Sequence, residues 1–263
     1  MGWSGSAAAE VVKHVRYEHG GATSWGILDG ERIHQLDGAP WAGGARTGRT
    51  VSTGEARLLA PAEPSKVIAV GLNYKSHLGN ATAPTSPPLF AKLPTSIVGP
   101  GDAIVLPKDA ENVHYEAELV LVIGRKAKNV SEAEALDYVF GVTAGNDVSA
   151  RAWQRSDLQW FRAKASDTFG PLGPVVATGL DPANLLVEGR HNGKTVQRER
   201  SGDLLFGPAA IVSFVSRYVT LLPGDVIFTG TPGATAALAP GDVFEVEVEG
   251  VGILRNPVVA ETP

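Results

Sequence analysis

Two glutamates near the start of an apolar run are the first candidates for chemistry in this chain. The run is Val113–Ile123, and a β-strand there would place Glu116 and Glu118 on the same face. Because the rest of the run is apolar on both faces, we expect this strand to lie in the interior. Two buried carboxylates need protons or a cation, and together they suit a hard divalent metal ion. The alternative interpretation is a solvated strand end that binds no metal.

A third carboxylate and a lysine extend this set. Asp147 ends an apolar segment and precedes a predicted helix, which by itself is typical of an ordinary helix N-cap. With Glu116 and Glu118, it would complete a three-carboxylate site for an octahedral ion such as Mg²⁺ or Mn²⁺. Lys164 is a candidate cation for a substrate carboxylate or a developing enolate, and a solvent-exposed lysine is the alternative.

Composition and charge narrow the classes of function. The 263 residues are 43% hydrophobic and carry a net charge of −5, with no cluster of basic residues, which argues against a nucleic-acid partner. The chain has no cysteine, which excludes thiol catalysis and disulfides and fits a cytoplasmic protein. No apolar run approaches the ~20 residues that span a membrane. The first residues, Met1–Ser6, are predicted to be a disordered start.

The N-terminal part, residues 1–60, is predicted to be a small β-subdomain with a flexible start. Asp29-Gly30 lies between two runs that read as strands, which predicts a β-hairpin. The stretch 39–53 is rich in Gly, Ala and Thr and is predicted to be a loop. Pro61–Ser65 reads as a linker, so we place the catalytic domain at residues 65–260.

Tight turns and short strands characterise the rest of the chain. A Pro-Gly-Asp sequence precedes an apolar strand three times, at Pro100–Asp102, Pro223–Asp225 and Pro240–Asp242. Proline followed by glycine specifies a type II turn, and the aspartates are expected to cap these turns rather than to bind a ligand. Few segments have helical periodicity. The sequence therefore predicts a β-rich α+β fold.

Several segments, taken together and in order, resemble the fumarylacetoacetate hydrolase (FAH) family. The segments are Asn73-Tyr74 with His77, Tyr115–Leu119, Gly145–Arg151, Lys164 with Asp167–Pro171, and Pro223–Asp225 with Thr229–Pro232. The resemblance extends from about Lys66 to Pro257, which is most of the chain. It implies a rolled mixed β-sheet domain, a homodimer, and a small-molecule 2-oxo acid as the substrate, whereas charge and hydropathy are what argue against a nucleic-acid or membrane partner.

The resemblance also implies a role for each matching residue. The metal ligands for Mg²⁺ or Mn²⁺ would be Glu116, Glu118 and Asp147. The catalytic residues would be His77, on a mobile lid, and Lys164, beside the metal. The substrate-binding residues would be Tyr74, Arg151, Gln154 and Thr231.

These roles predict a metal-dependent enzyme that acts through an enolate of a 2-oxo acid. The leading hypothesis is hydrolysis of a C–C bond in an acylpyruvate or a fumarylacetoacetate-like diketo acid. The alternatives are an isomerase or tautomerase, as for 2-hydroxyhepta-2,4-diene-1,7-dioate, and an oxaloacetate decarboxylase. A hypothesis from a different class is a non-catalytic module that binds a metal ion and a carboxylate.

The chain departs from the family pattern at two places. Hydrolases and decarboxylases of the family commonly place a glutamate three residues after the lid histidine, where this chain has Asn80. An amide cannot stabilise a protonated imidazole as a carboxylate does, so activation of water by His77 would need another acid. The second departure is Gly233–Ala237, which follows Thr231-Pro232 and predicts a different shape for the substrate loop.

Overall fold

Strands make up most of the described chain. The computed structural model describes residues 10–262, and the predicted disordered start lies outside them. The strands are β1 (Val12–His19), β2 (Ala22–Asp29), β3 (Arg32–Leu36), β4 (Arg46–Ser52), β5 (Arg57–Leu59), β6 (Val67–Val70), β7 (Leu89–Lys92), β8 (Ile97–Val98), β9 (Ile104–Leu106), β10 (Val113–His114), β11 (Ala117–Ile123), β12 (Val139–Asn146), β13 (Ser149–Ala150), β14 (Gly170–Thr178), β15 (Leu186–His191), β16 (Lys194–Arg200), β17 (Val226–Phe228), β18 (Val243–Val248) and β19 (Gly252–Ala260). The α-helices are α1 (Lys75–Leu78), α2 (Arg151–Ser156), α3 (Phe161–Ala165) and α4 (Pro208–Tyr218). Short 3₁₀ helices lie at Pro40–Ala42, Thr53–Glu55, Pro94–Ser96, Glu132–Tyr138 and Ser201–Asp203.

A mixed 12-stranded sheet organises these elements. Its main path is β4-β3-β2-β1-β14-β12-β11-β17-β6-β7, with β5 paired to β1 and β8 paired to β14. The β11 strand pairs antiparallel with β12 and β17, whereas β17 pairs parallel with β6. A second sheet, β16-β15-β18-β19-β9, packs against it. This β-rich arrangement with few helices confirms the predicted fold class.

The interior position of β11 is set by its apolar composition. All seven residues of this strand are buried, because its two faces are covered by the apolar clusters on both sides of the sheet. A strand buried on both faces shows no alternation of apolar and polar residues, as here. Glu118 lies near the start of this buried strand.

The N-terminal strands form one end of the same large sheet. The β1 strand pairs antiparallel with β14, so β1 to β4 extend the sheet that carries β11. The predicted hairpin is present, and its two-residue turn is Gly30-Glu31, one residue later than expected. The predicted loop at 39–53 is wrong over Arg46–Ser52, where β4 pairs with β3, and its threonines suit a strand even though most of its residues are exposed. The predicted boundary between residues 1–60 and 65–260 stays a prediction.

The predicted strand Val113–Ile123 is interrupted. The chain forms β10 and β11, and Tyr115 and Glu116 lie between them. The backbone N–H of Glu116 donates to the side-chain Oδ1 of Asn146 at 2.9 Å instead of to a strand carbonyl. The Glu116 carbonyl still accepts from the Asp147 N–H at 2.9 Å, so these two residues face each other across the end of the β11–β12 pair.

The three Pro-Gly-Asp turns share one hydrogen bond, which confirms their predicted structural role. Each aspartate accepts from the backbone N–H three residues before it, at 2.7–2.8 Å. Asp225 is fully buried and also accepts from the N–H and hydroxyl of Ser65 and from the N–H of Lys66. It therefore fixes the start of β6 as well as its own turn.

We predict that Asp225→Ala lowers the free energy of unfolding by roughly 3 kcal/mol, because it leaves several buried donors unpaired. Asp102→Ala, in the matching exposed turn, should cost about 1 kcal/mol. Urea unfolding followed by tryptophan fluorescence measures both losses. Equal losses in the two variants would contradict the additional role of Asp225.

Candidate active site

Three carboxylates meet at the end of the β11–β12 pair. Oxygen atoms of Glu116, Glu118 and Asp147 all lie within 4.8 Å of one another, and the three side chains are buried. Glu118 lies opposite Gly145 in the strand pair, and Asp147 follows two residues later, beside Glu116. Because residues opposite each other in an antiparallel pair share a face, this register directs all three carboxylates to one side.

Two buried lysines contact these carboxylates. Lys164 Nζ, from α3, donates to Glu116 Oε2 and to Asp147 Oδ2, each at 2.6 Å. Lys92 Nζ, from β7, donates to Asp147 Oδ1 at 2.6 Å and to the backbone carbonyl of Lys164. Lys92 therefore holds both a carboxylate and the turn of α3 that presents the second lysine.

The charges of the site act differently on its carboxylates. Burial would raise the pKa of Glu116, but the neighbouring Lys164, Arg151 and His77 lower it below its ordinary value. The pKa of Glu118 is raised, first by burial and then by the charges of Asp147 and Glu116. Glu118 is thus the carboxylate whose charge is least compensated by the side chains around it.

A guanidinium closes one side of the carboxylate set. Arg151, the first residue of α2, donates to Glu116 Oε1 at 2.5 Å and to Gln154 Oε1 at 2.7 Å. It also donates to the hydroxyl of Thr235 at 3.0 Å. The helix begins at Arg151, so its first turn places Gln154 on the same side.

The predicted lid is the short helix α1, and its base is fixed in the core. Asn73 is fully buried, and its amide donates to the carbonyls of Phe206 and Thr229 while its oxygen accepts from the Phe206 N–H. His77 lies on the helix, with Nε2 3.8 Å from Glu116 Oε1. Its Nδ1 lies 2.7 Å from the carbonyl oxygen of Gly233. His77 therefore lies near one carboxylate oxygen of Glu116, while Lys164 binds the other.

Thr231 and Tyr74, the two remaining predicted substrate residues, are placed differently. The Thr231 hydroxyl donates to the Ala117 carbonyl at 2.9 Å and accepts from Gln197 at 2.8 Å, and the residue lines the cavity described below. Tyr74 is buried and lies outside the cavity lining, and its hydroxyl has no hydrogen-bond partner within the described residues. Burial and the charge of Glu118 raise the pKa of Tyr74. The predicted contact of Tyr74 with substrate stays a prediction.

A cavity of about 310 Å³ opens onto this set. Its lining residues are Val70, Gly71, Leu72, His77, Glu116, Glu118, Arg151, Gln154, Trp160, Lys164 and Thr231. A cavity of this size suits a small organic acid, with an apolar wall on one side and charged groups on the other. A larger cavity of about 450 Å³ lies between β2, β3 and β4, but Asp37 and Arg49 are the charged residues that line it, and the carboxylate cluster is elsewhere.

The donors fit a hard divalent cation. They are carboxylate oxygens, which Mg²⁺ and Mn²⁺ prefer, and three of them leave coordination positions for water and substrate. The backbone N–H of Gly230 donates to Glu118 Oε2 at 2.7 Å and orients that carboxylate. Gly230 has φ of +112°, and a Cβ there would lie 2.7 Å from that of Asn73, so only glycine fits this approach.

Sequence reasoning missed Lys92, Gln197 and Thr235. Strand alternation places Lys92 on the same face as Phe90, but only the tertiary fold shows that this face meets Lys164. Gln197 and Thr235 come from a hairpin strand and a loop that only the tertiary fold brings to the site. Their sequence context gives no comparable signal.

Two family models match the chain. The model of the fumarylacetoacetate (FAA) hydrolase C-terminal region matches residues 66–259, and the model of the Rv2993c-like N-terminal region matches residues 13–61. The first match contains all of the residues described at the carboxylate site.

Relatives of known name include isomerases and a hydrolase. The mitochondrial oxaloacetate tautomerase FAHD2A of Homo sapiens is 41% identical over 220 residues, which is 78% of this chain and 70% of that protein. The structure of 5-carboxymethyl-2-hydroxymuconate delta-isomerase from Mycobacterium smegmatis has a TM-score of 0.90 and 43% identity, covering 95% of this chain and 100% of that one. Maleylpyruvate hydrolase from Sphingobium sp. SYK-6, in complex with manganese(II) and pyruvate, has a TM-score of 0.78 and 26% identity, with coverages of 95% and 100%.

We predict opposite effects of Glu118→Gln on the metal-free and metal-loaded protein. Folding raises the pKa of the Glu118 carboxyl group. This group therefore destabilises the folded state increasingly as the pH rises from the pKa of the unfolded state to the pKa of the folded state. At neutral pH the variant should therefore melt about 2 °C or more higher without metal, which is about 1 kcal/mol for a chain of this size. Mn²⁺ should stabilise the wild type and fail to stabilise the variant.

Thermal melts with EDTA and with Mn²⁺ make this measurement. The control is Glu245→Gln, which removes a carboxylate paired with Arg255 at 3.3 Å on the second sheet and should leave the Mn²⁺ effect intact. An undiminished Mn²⁺ effect in Glu118→Gln would contradict the role of Glu118 as a ligand.

Proposed function

Because the chain belongs to the fumarylacetoacetate hydrolase family, we propose that it is a divalent-metal-dependent isomerase or tautomerase of a small 2-oxo acid. The observation that carries this proposal is the pairing of a buried ammonium with an imidazole across one carboxylate. Lys164 lies 2.6 Å from Glu116 Oε2, and His77 Nε2 lies 3.8 Å from Glu116 Oε1. A fixed cation and a proton acceptor at one site are what proton transfer next to a carbonyl group requires.

The charges of the site favour a dianionic substrate. The three carboxylates face three cationic side chains, those of Lys92, Lys164 and Arg151. A bound divalent cation would leave two positive charges without a partner in the cavity, where charge acts more strongly than in bulk water. We therefore propose a 2-oxo diacid as the substrate, with one carboxylate near Arg151 and Gln154.

Each residue of the site has a part in moving one proton. His77 Nδ1 donates to a backbone carbonyl, so Nε2 of the neutral ring carries the lone pair and can accept the C3 proton of the substrate. The Asp147 and Glu116 charges outweigh the effect of burial and raise the pKa of Lys164, so this side chain remains an ammonium that stabilises the oxygen at C2. Returning the proton to that oxygen completes the keto-to-enol conversion.

The Mg²⁺ or Mn²⁺ ion held by Glu116, Glu118 and Asp147 would supply Lewis-acid polarisation of the 2-oxo group. Trp160 packs edge-on against Phe90, with ring centroids 5.5 Å apart, and forms the apolar wall of the cavity.

Hydrolysis of a C–C bond, the leading hypothesis from the sequence, has less support than the isomerase alternative. Asn80 is exposed, and a neutral backbone carbonyl rather than a carboxylate accepts from His77. A carboxylate at that position would stabilise a protonated imidazole better than this neutral partner does, so the lid lacks the group that hydrolases of the family commonly provide. The named relatives with the higher identities are a tautomerase and an isomerase.

We predict that the Mg²⁺-loaded protein accelerates the enol-to-keto conversion of oxaloacetate, followed by the ultraviolet absorbance of the enol. EDTA should abolish this rate, and His77→Gln should lower kcat roughly 100-fold because it removes the general base. His19→Gln, at an exposed strand end, is the matched control and should behave as wild type.

Proton NMR of the same reactions tests the alternatives. Release of pyruvate and a second acid from an acylpyruvate, at a rate above that of enol conversion, would contradict the proposal in favour of hydrolysis. Release of pyruvate from oxaloacetate would favour decarboxylation. Binding of oxalate without any turnover would favour the non-catalytic module.

A further inference from the structure

The two places where the chain departs from the family pattern are connected in the structure. Asn80 leaves the lid without its expected carboxylate, and Gly233–Ala237 gives the loop after Pro232 a different sequence. His77 Nδ1 lies 2.7 Å from the carbonyl oxygen of Gly233, the first residue of that loop. The loop thus supplies the hydrogen-bond acceptor at His77 Nδ1.

This contact determines the tautomer of His77. A carbonyl oxygen can only accept, so Nδ1 must carry the hydrogen, and Nε2 of the neutral ring is left with its lone pair. Nε2 lies on the side of the ring that faces Glu116 and the cavity. The Gly233 carbonyl therefore orients the lone pair of His77 Nε2 toward the cavity.

The carbonyl of Gly233 is itself held in place by the lid. Its N–H donates to the Ser76 hydroxyl at 2.9 Å, and that hydroxyl donates in turn to Glu199 Oε2 on β16. Ser76 and His77 are adjacent on α1, so the lid forms hydrogen bonds with both the N–H and the carbonyl of Gly233. Gly233 has φ of +62°, a left-handed conformation that glycine adopts without strain.

The strand that carries Glu199 anchors the loop at a second point. Gln197, two residues earlier on the same face of β16, donates to the Pro232 carbonyl at 2.5 Å and to the Thr231 hydroxyl at 2.8 Å. The loop then continues to Thr235, whose hydroxyl bonds to Arg151. One loop thus contacts both the proposed base and the proposed substrate-binding guanidinium.

We propose that the Gly233 backbone, held by Ser76 and Glu199, is a positioning element that replaces the missing lid carboxylate and fixes His77 as the Nδ1–H tautomer. The hydrogen bonds among Ser76, Gly233 and Glu199 do not depend on which reaction the protein catalyses. Their expected effect on turnover does rest on the proposed function. Because the partner is neutral, this element orients the imidazole without stabilising its charge.

The test reads the tautomer directly. Protein labelled with ¹⁵N-histidine gives two-bond nitrogen–proton correlations that distinguish the tautomers, and His77→Asn assigns the signals among the six histidines. We expect wild-type His77 to be the Nδ1–H form. Ser76→Ala should mix the two tautomers and lower kcat roughly 10-fold, with KM little changed.

Matched variants separate orientation from charge and from substrate binding. Ser76→Thr keeps the hydroxyl and Glu199→Gln keeps an acceptor, so both should retain the wild-type tautomer and rate, whereas Glu199→Leu should resemble Ser76→Ala. Thr235→Val, in the same loop, should raise KM and leave the His77 tautomer unchanged.

Several results would overturn the proposal. They are an Nε2–H tautomer in the wild type, an unchanged tautomer in Ser76→Ala, and a loss in Glu199→Gln equal to that in Glu199→Leu. A Ser76-dependent tautomer in a protein that turns over no 2-oxo acid would support the positioning element and contradict the proposed function. An active wild type whose His77 tautomer is unchanged in Ser76→Ala would support the proposed function and contradict the positioning element.

Discussion

The burial of three carboxylates at one end of the β11–β12 pair is the constraint on which the rest of the site depends. Like charges in an apolar interior are costly unless cations compensate them. Two lysines and an arginine contact Glu116 and Asp147, whereas Glu118 receives a backbone N–H and has a raised pKa. This imbalance favours a further positive charge beside Glu118, and a divalent cation supplies it with the ligands already in place.

The fold brings these groups together from distant parts of the chain. The β11–β12 register places the carboxylates, while β7 and α3 contribute the lysines and α1 contributes the histidine. The parallel pairing of β17 with β6 places Gly230 close to Asn73, so the Glu118 oxygen and the base of the lid are fixed by the same short segment. The candidate metal ligands thus lie at the ends of paired strands, and α1 brings His77 to the same cavity.

The β-rich fold class and the Pro-Gly-Asp turns follow from local sequence, because turn chemistry and strand alternation act over a few residues. The break before β11 could not be predicted, since it depends on the side chain of Asn146 replacing a strand hydrogen bond. Grouping of Glu116, Glu118 and Asp147 needed the family pattern as well as strand alternation. Lys92 and Gly233 were missed, because a buried lysine and a backbone carbonyl acquire their roles only through tertiary contacts.

The lid illustrates how a family site can keep its base while changing the group that orients it. In the proposed mechanism, a carbonyl at His77 Nδ1 fixes the ring without adding the negative charge of a lid carboxylate, and Glu116, with Oε1 3.8 Å from Nε2, is the carboxylate beside a protonated ring. In the proposed function, this chemistry requires a divalent metal ion at the three carboxylates. The most direct measurement is anomalous scattering from crystals grown with Mn²⁺. A single strong peak between Glu116, Glu118 and Asp147 is predicted, and Mn²⁺ bound elsewhere, or no peak at these carboxylates, would contradict the account.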